Sequence, residues 1–409
     1  MSRGRRTTAL PSTRKVSRRA WSASAPPRAR VRRTSSTPRS SSVARARSAR
    51  TSRTERSVER PDGSLLSAAR YSGVMTQGGE AGSVGRYRLV SRLARGGMAE
   101  VFLGVLPGPE GFEKPVVIKR LLPELAGQEA YRQMFAQEAR LMATFGHAHV
   151  VSVLDFGLEA GAPYLVLEYV EGVDLARALA SRGPLAPALV RHLGLCLLRA
   201  LEHVHGLRDT RGEWLGLVHR DVSPANVLLG HTGDVKLGDF GIAKGLRTPS
   251  RTAPGSTRGT LRYMSPEQVR GGPLDARADL FSLGVLLYEA VVGRNPFAAA
   301  TDAQLLLAVR DARLEPAEHL LQRAGPALAG VLQRALRPHP SERFASAGDM
   351  ARALLDVDTG SGAEQPWHVA RLVAETLAAG RTPGASEPGK RVASPFSAAL
   401  LEGQGDEEA

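Results

Sequence analysis

The 409-residue sequence contains a single cysteine, Cys196. A disulfide within the chain is therefore excluded, and the lack of a second thiol argues against a zinc site. Cys196 lies in an apolar helical pattern, which is typical of a small buried side chain and compatible with a reducing compartment. The chain also lacks an uncharged apolar run of about 18 residues, the length that a membrane-spanning helix needs. Its longest candidate, residues 280–292, contains Ser282 and Glu289 and therefore indicates a buried core helix.

Net charge is nearly absent from most of the chain. The formal net charge is +15, but residues 1–60 alone contain 18 Arg or Lys and only two Glu, a net charge of +16. The remaining residues therefore carry a net charge of −1. The basic character belongs to the N-terminal segment, so it gives no reason to expect that the folded part binds nucleic acid.

Residues 1–84 are rich in Arg, Ser, Ala, Thr and Pro and have few bulky apolar side chains. Such a segment cannot bury enough surface to offset its chain entropy, so we expect a disordered basic tail. Four interpretations remain open: a solvated tail, an arm for nucleic acid or an anionic surface, an organelle transit peptide, or a segment upstream of a natural start at Met75. The intact mass of the protein from its own host would decide whether translation starts at Met75.

Apolar periodicity divides the rest of the chain into a strand-rich part, which begins at Tyr87, and a helical part. The predicted strands are 87–93, 99–105, 115–119, 150–156 and 164–167. The predicted helices are 129–144, 187–207, 275–292, 302–311, 327–336 and 345–355. The expected fold class is α+β, with a small β-rich lobe and a larger helical lobe in residues 87–355. The tail, residues 356–409, contains one candidate short helix at 367–377 that would pack on the domain or on a partner.

Polar residues with a distinctive spacing occur in residues 219–241. Asp221 and Asn226 lie five residues apart, in a loop that precedes the apolar residues 227–229. Asp239 follows thirteen residues after Asn226, at the end of another short strand. This arrangement can hold one carboxylate near an attacking hydroxyl and two oxygen ligands around a magnesium–phosphate group. The spacing is therefore compatible with a magnesium–phosphate site.

Two other segments can supply contacts to a nucleotide. Lys119 ends the third predicted strand, so its ammonium can point into a cleft beside the sheet. Glu138 lies 19 residues further on, in the following helix, where it can pair with Lys119. The pairing matters because an unpaired, half-buried lysine is costly. A tight turn at Gly96 and Gly97 joins the first two strands and lets backbone N–H groups approach a phosphate.

These segments resemble the eukaryotic-type (Hanks-type) serine/threonine protein kinase family. The resemblance covers about 270 residues and rests on five motifs in the order and spacing of that family. The motifs are Lys119, Glu138, residues 221–226, residues 239–241 and residues 265–267. The Gly-Gly-Met and Tyr-Met-Ser-Pro-Glu-Gln segments favour a bacterial member.

The resemblance implies ATP and Mg²⁺ as cofactors and a role for each matching residue. Asp221 would be the catalytic base. Lys119, also catalytic, would bind the nucleotide phosphates and be held there by Glu138. Asn226 would contribute to catalysis and, with Asp239, would bind magnesium. The implied nucleotide-binding residues are Leu93, Ala94, Arg95, Gly96, Gly97, Met98, Ala99, Glu100, Val101, Val117, Lys119, Leu167, Glu168, Val170, Asp174 and Leu228. Within this set, Val101, Val117 and Leu228 would sandwich the adenine ring. Residues 168–170 would supply backbone hydrogen bonds to adenine, and Asp174 would reach the ribose.

Two departures from the family pattern bear on activity. Ala94 and Ala99 replace the first and third glycines of the phosphate loop, which removes freedom for positive φ. Ser223 stands where serine/threonine kinases usually carry lysine, so a hydrogen bond replaces a charge beside the γ-phosphate. The alternative to an active kinase is therefore a pseudokinase or nucleotide-binding scaffold. A small-molecule phosphotransferase of related fold is disfavoured, because such enzymes generally lack the Ser-Pro-Glu segment and its paired arginine.

The nature of the acceptor is indicated by residues 259–267. This stretch resembles the substrate-docking segment of serine/threonine kinases, so we expect serine and threonine of proteins as acceptors rather than tyrosine. In that family pattern Thr260 would hydrogen-bond Asp221. Glu267 would form a bracing ion pair with Arg343.

Two residues suggest how residues 219–226, the catalytic loop of the family pattern, are held and controlled. Asp279 would anchor the backbone of the loop from beneath. Arg220 can pair with a phosphate, which suggests control by phosphorylation, with autophosphorylation sites in residues 245–258. Because no membrane-spanning run is present in the sequence, a cytoplasmic location is expected.

Overall fold

The computed structural model describes residues 82–240, 261–297, 299, 301–360 and 366–380. These residues form a small lobe built on one antiparallel sheet and a larger, mainly helical lobe. The α+β fold class predicted from the sequence is therefore confirmed. Within the described ranges, no helix is both long enough and apolar enough to cross a membrane.

The small lobe is built on the strands β1 (Ser83–Val84), β2 (Tyr87–Arg95), β3 (Ala99–Pro107), β4 (Glu113–Leu121), β5 (Val153–Glu159) and β6 (Ala162–Glu168). They form one antiparallel sheet with the order β1-β2-β3-β4-β6-β5. Two helices follow β4, namely α1 (Pro123–Ala126) and α2 (Glu129–Met142). On α2, the buried residues Phe135, Ala139 and Met142 recur at helical spacing and so form one apolar face. This face fixes how α2 packs against β5 and β6.

The sheet buries apolar side chains on both of its faces. Phe102 and Ile118 belong to a cluster on the outer face, whereas the neighbouring Val101 and Val117 belong to the main core. Val84, in β1, is fully buried in the outer cluster. The predicted limit of the disordered tail at residue 84 is therefore wrong for Ser83 and Val84, because Val84 gains an apolar environment by pairing β1 with β2.

Strand β5 begins at Val153, three residues later than predicted. The apolar residues before it serve another contact. Val150 forms an isolated bridge with Leu237, and the Val151 N–H donates to the Leu237 carbonyl at 3.0 Å. These residues therefore join the two lobes instead of extending the strand.

The large lobe begins with a small antiparallel sheet of β7 (Gly172–Asp174), β8 (Val227–Gly230) and β9 (Val235–Leu237). Its helices are α3 (Leu175–Arg182), α4 (Pro187–His205), α5 (Pro266–Arg270), α6 (Ala276–Val292), α7 (Asp302–Arg310), α8 (Glu318–Ala335) and α9 (Ala347–Leu355). Helix α6 lies at the centre and packs against α4, α8 and α9. Because α6 is apolar on nearly all sides, it is a core helix, as predicted. Cys196, on α4, is buried.

Helix α8 starts nine residues earlier than the predicted start at residue 327. It is interrupted at Gly325, which has φ +73°, and Pro326 begins the second half. The prediction matched only this second half, because a proline favours a helix start. The first half exists because Leu320 and Ala324 are buried in the core.

A last helix, α10 (Pro366–Ala379), lies beyond the predicted domain boundary at residue 355. It includes the candidate helix 367–377. Val369, Leu372 and Val373 are buried, and the helix packs against α3, β7 and β8. This part of the C-terminal segment therefore belongs to the large lobe.

Candidate active site

Lys119, near the end of β4, contacts carboxylates from two other elements. Its Nζ lies 2.8 Å from Oε1 of Glu138 on α2 and 3.2 Å from Oδ1 of Asp239, which follows β9. The Lys119 side chain is 15% exposed, and that of Glu138 is 4% exposed. The two lobes thus meet at a largely buried charged centre, and the pair expected from the 19-residue spacing is present.

The charge state of Lys119 is set by opposing influences. Burial, the largest of them, lowers the pKa of the ammonium, but Asp239 and Glu138 together outweigh it and raise the pKa above its ordinary value. Lys119 is therefore positively charged at neutral pH. An ammonium fixed in this way is a point charge suited to a phosphate group.

The backbone ahead of Asp221 is held by Asp279, a buried residue in the first turn of α6. Its carboxylate accepts hydrogen bonds from the His219 N–H at 2.7 Å, the Arg220 N–H at 2.9 Å and Nε2 of His205 at 2.8 Å. Burial, the largest influence, raises the pKa of Asp279, but the hydrogen bond and charge of His205, together with His219, outweigh it and lower the pKa below its usual value. Asp279 thus anchors the catalytic loop, as expected, and His205 is a partner that the sequence did not reveal.

Further hydrogen bonds connect the catalytic loop to the segment after β9. The side-chain amide of Asn226 donates to the Asp221 carbonyl at 2.8 Å, and the Gly238 N–H donates to the Asn226 carbonyl at 2.9 Å. His219 accepts the Asp221 N–H at Nδ1, so its Nε2 bears the proton and donates to the Gly238 carbonyl at 3.1 Å. The Phe240 ring packs on the His219 ring with centroids 4.3 Å apart.

The donor set fits a magnesium ion that is shared with nucleotide phosphates. Magnesium prefers oxygen ligands and is usually held by one or two carboxylates together with substrate phosphates. Because the Asn226 Nδ2 is engaged with the Asp221 carbonyl, its Oδ1 is left to accept or coordinate. The Asp239 carboxylate is 38% exposed, in contrast to the buried Glu138. Asn226 and Asp239 could therefore supply oxygen ligands without dismantling the loop.

The turn between β2 and β3 is closed by a hydrogen bond from the Gly96 N–H to the Ala99 carbonyl at 2.8 Å. Ala94 and Ala99 are buried, and they belong to the same apolar cluster as Val101 and Val117. The two alanines therefore act as packing residues beneath the turn. Leu93 and Met98 are half-buried against this cluster. A Cβ added at Gly97 would meet no other atom within 4 Å, so the turn has room for a ligand.

Arg95 and Glu100, also predicted to bind nucleotide, have side chains that pair with other residues. Glu100 is buried and contacts Arg92 and Arg120, each at 3.2 Å. Arg95 lies 2.7 Å from Glu124 and 3.7 Å from Glu100. The Glu100 side chain is thus committed to a buried ion-pair network, whereas the Arg95 side chain is 49% exposed.

The chain between the lobes positions a second group of predicted residues. Leu167 and Val170 are buried in the main core. Oε1 of Glu168 accepts the Ser152 N–H at 2.7 Å and contacts Nζ of Lys236 at 2.8 Å. The Glu168 side chain therefore links strands, which leaves its backbone for adenine. Lys236 was not identified from the sequence, where it appears as an ordinary strand residue.

Asp174, predicted to reach the ribose, caps helix α3. Its Oδ1 accepts the Arg177 N–H at 2.6 Å, and the residue is 1% exposed. Burial is the main cause that raises the pKa of Asp174 to about 6. A ribose contact would have to coexist with this capping role. In the small sheet Asp174 pairs with Leu228, the predicted floor of the adenine site.

Ser223 is buried two residues after Asp221. It precedes a short 3₁₀ turn at Pro224–Asn226, and its carbonyl accepts the Asn226 N–H at 3.1 Å. The position is therefore part of the loop that carries Asp221 and Asn226. It brings a hydroxyl group, and no positive charge, to this loop.

The Ser-Pro-Glu segment is connected to both the core and the catalytic loop. Arg343 is fully buried and forms a bidentate pair with Glu267 at 2.7 and 2.8 Å, as expected. Ser265 and Gln268 form a capping box at the start of α5. Gln268 Nε2 also donates to the Arg220 carbonyl at 3.0 Å. The Ser-x-x-Gln spacing indicates the capping box, but the bond to Arg220 could not be found from sequence.

Several predictions fall outside the described residues. They concern the tail with Met75, Gly241, Thr260 and the candidate phosphorylation sites in 245–258.

Comparison with known proteins identifies the class that this fold and site define. The family model described as the protein kinase domain matches residues 87–356, and the chain therefore belongs to the protein kinase family. The predicted resemblance is thus confirmed. Members of this family use ATP and a divalent metal and act on proteins.

The chain is similar to several bacterial kinases. The chain is 40% identical over 276 residues to the tyrosine-protein kinase MasK of Myxococcus xanthus. The aligned residues cover 66% of this chain and 42% of MasK. The chain is 35% identical over 262 residues to the serine/threonine-protein kinase PknL of Mycobacterium tuberculosis. The aligned residues cover 64% of this chain and 63% of PknL. The crystal structure of the M. tuberculosis PknI kinase domain superposes with a TM-score of 0.50 at 28% identity, covering 68% of this chain and 97% of that domain.

Proposed function

We propose that the protein transfers the γ-phosphoryl group of ATP to serine or threonine hydroxyls of proteins. The observation that carries this proposal is the contact of Lys119 with both Glu138 and Asp239, at 2.8 and 3.2 Å. These contacts bring the sheet, helix α2 and the segment after β9 into the arrangement that phosphoryl transfer requires.

In this proposal Asp221 orients the acceptor hydroxyl and takes its proton. The loop that carries Asp221 is fixed from below by Asp279 and from the side by Asn226. Such prior ordering lowers the barrier because little reorganisation is needed during the reaction. Lys119, kept charged by its two carboxylates, binds the nucleotide phosphates.

Asn226 and Asp239 would hold Mg²⁺, which when bound neutralises developing charge on the phosphates. The adenine ring would lie between Val101 and Val117 on one side and Leu228 on the other. All three are buried side chains of the main apolar cluster. Burial of an aromatic base between such residues is favoured by removal of apolar surface from water.

The pseudokinase alternative rests on Ser223 and the altered glycine turn. Activity is favoured over it because Lys119, Glu138, Asp221, Asn226 and Asp239 are all present. The contacts described above join Lys119 to Glu138 and Asp239, and Asn226 to Asp221. The missing charge at Ser223 would reduce the rate by weakening stabilisation of the transition state.

The acceptor residue needs its own test, because the relatives differ in name. MasK is named a tyrosine-protein kinase, whereas PknL is named a serine/threonine-protein kinase. Serine and threonine are favoured by the sequence of residues 259–267, which resembles the serine/threonine form of the substrate-docking segment. Autophosphorylation in residues 245–258 and a cytoplasmic location complete the proposal.

The test is incubation with radiolabelled ATP and Mg²⁺, with the protein itself and a casein-type protein as acceptors. With the wild type, we expect the label to be recovered as phosphoserine and phosphothreonine. The variant Asp221→Asn should reduce labelling by about 100-fold or more. Asp358→Asn, an exposed aspartate that accepts the Gly360 N–H, is the matched control and should retain full activity. Equal labelling by wild type and Asp221→Asn would refute the catalytic assignment, and label confined to phosphotyrosine would refute the acceptor.

A further inference from the structure

Helix α10 lies outside the residues that the kinase family model matches, yet its apolar face is buried against the catalytic domain. Val369 and Val373 are completely buried, and Leu372 is 5% exposed. These residues recur three and four positions apart, which places them on one face of the helix. Trp367, in contrast, is 53% exposed. The helix is therefore bound along one face and open on the other.

The partners of α10 are helix α3 and strands β7 and β8. Near its start, a side chain at Gly233, in the turn after β8, would collide with the carbonyl oxygen of Pro366. Near its end, Glu375 forms an ion pair with Arg182 of α3 at 2.8 Å. Gly380 lies beside the Arg177 side chain, at the first turn of the same helix. The helix thus spans from the turn after β8 to α3.

The same three partner elements carry residues of the proposed nucleotide site. Strand β7 ends at Asp174, which caps α3 through the Arg177 N–H. Asp174 pairs in register with Leu228 of β8. Two short strands of three and four residues have little stability of their own. Their position therefore depends on what packs against them, and α10 contributes apolar side chains to that packing.

We propose that α10 positions the floor of the nucleotide site. By packing against β7, β8 and α3 together, it holds Leu228 and Asp174 in the arrangement that receives adenine and ribose. Val369 and Val373 are then positioning residues, which act through the strands without touching the nucleotide. The inference rests on the proposed kinase function, since it concerns the affinity of the same site for ATP.

The double variant Val369→Ala/Val373→Ala tests the proposal, with binding of a non-hydrolysable ATP analogue and Mg²⁺ measured by calorimetry. If the floor adopts its binding arrangement only part of the time, the apparent Kd rises in proportion. We expect Kd and the KM for ATP to rise about three- to tenfold, while kcat and the KM for the protein substrate change less than about twofold. The milder variant Val373→Ala, measured in parallel, should show a smaller increase of the same kind.

Val331→Ala is the matched control, since it shortens a buried valine on α8. Among the described residues, the main packing partners of α8 do not include β7 or β8. It separates a general loss of stability from a loss of positioning. The inference is overturned if the α10 variants bind the analogue as tightly as Val331→Ala does. It is also overturned if the variants lower kcat while Kd and the KM for ATP stay unchanged. Wild-type protein that binds no Mg²⁺–nucleotide would overturn the proposed function itself.

Discussion

Replacing Asp279 by asparagine is the sharpest test of how the active site is held together. The carboxylate accepts three hydrogen bonds, from His219 N–H, Arg220 N–H and His205 Nε2, at 2.7 to 2.9 Å. Asparagine preserves the size of the side chain but replaces one oxygen with an NH₂ group. The NH₂ group of the asparagine therefore faces a backbone N–H or the imidazole N–H, so two hydrogen-bond donors oppose each other and no bond can form.

The magnitude follows from the number of bonds affected. A hydrogen bond to a charged group contributes about 1.5–3 kcal/mol, and a buried donor left without an acceptor adds its desolvation cost. Losing one or two bonds from a fully buried carboxylate should lower the free energy of unfolding by about 3–5 kcal/mol. Because the bonds to His219 and Arg220 lie directly before Asp221, part of this loss should appear as a displaced loop. A local cost of about 1.4–3 kcal/mol corresponds to a 10- to 100-fold decrease in kcat.

The assay combines kcat for a protein substrate with thermal unfolding at several pH values. Asp275→Asn is the control on the same helix, since Asp275 is an exposed cap that accepts the Arg277 N–H, and asparagine caps helices equally well. The pKa of Asp279 is lowered in the folded state, so its stabilisation is present above the unfolded value of 3.8 and is lost as the pH falls through the lower folded value. The deficit of Asp279→Asn should therefore be constant from about pH 5 to 8. Equal kcat and equal unfolding temperatures for the two variants would refute the anchoring role.

Three further perturbations have expected outcomes. Arg343→Lys should lower the free energy of unfolding by about 3 kcal/mol, measured by denaturant titration, because lysine cannot form the buried bidentate pair with Glu267. Burial raises the pKa of Asp174 to about 6, so the ionised carboxylate destabilises the folded state at higher pH. Asp174→Asn should therefore stabilise the protein above pH 6 by up to about 3 kcal/mol, and the gain should vanish as the pH falls below 3.8. Unfolding temperatures measured across this pH range check the prediction. Ser223→Lys should raise kcat about tenfold if the missing charge limits the rate, and an unchanged kcat would show that it does not.

Predictions based on fixed spacing within short segments agree well with the structure. The Lys119–Glu138 pair follows from a strand and a helix of ordinary length, because 19 residues bring the helix face back over the strand end. The Glu267–Arg343 pair is 76 residues apart in sequence, and only the family pattern predicts it. Helix α6 was predictable for a different reason, since its apolar residues cover nearly every side.

Features that depend on tertiary contacts could not be predicted. Val150 looks like a strand residue, but its bridge to Leu237 depends on where the second lobe lies. Val84 has no periodic neighbours in sequence, and its burial depends on the outer face of the sheet. The capping role of Asp174 was missed because an acidic residue before a helix has the same sequence pattern whether it binds a ribose or a backbone N–H.

Backbone strain shows why the large lobe carries so many contacts to the catalytic loop. Arg220 has φ +67° and Asp239 has φ +49°, values in the left-handed region that cost non-glycine residues about 1–3 kcal/mol each. Both flank the proposed reaction centre, and each is held by groups outside its own segment. The Arg220 N–H binds Asp279 and its carbonyl binds Gln268, while the Asp239 carboxylate contacts Lys119. The strain at Arg220 can therefore persist only while α5 and α6 stay in place, and a substitution that loosens either helix should relax the loop away from its catalytic form before the domain unfolds.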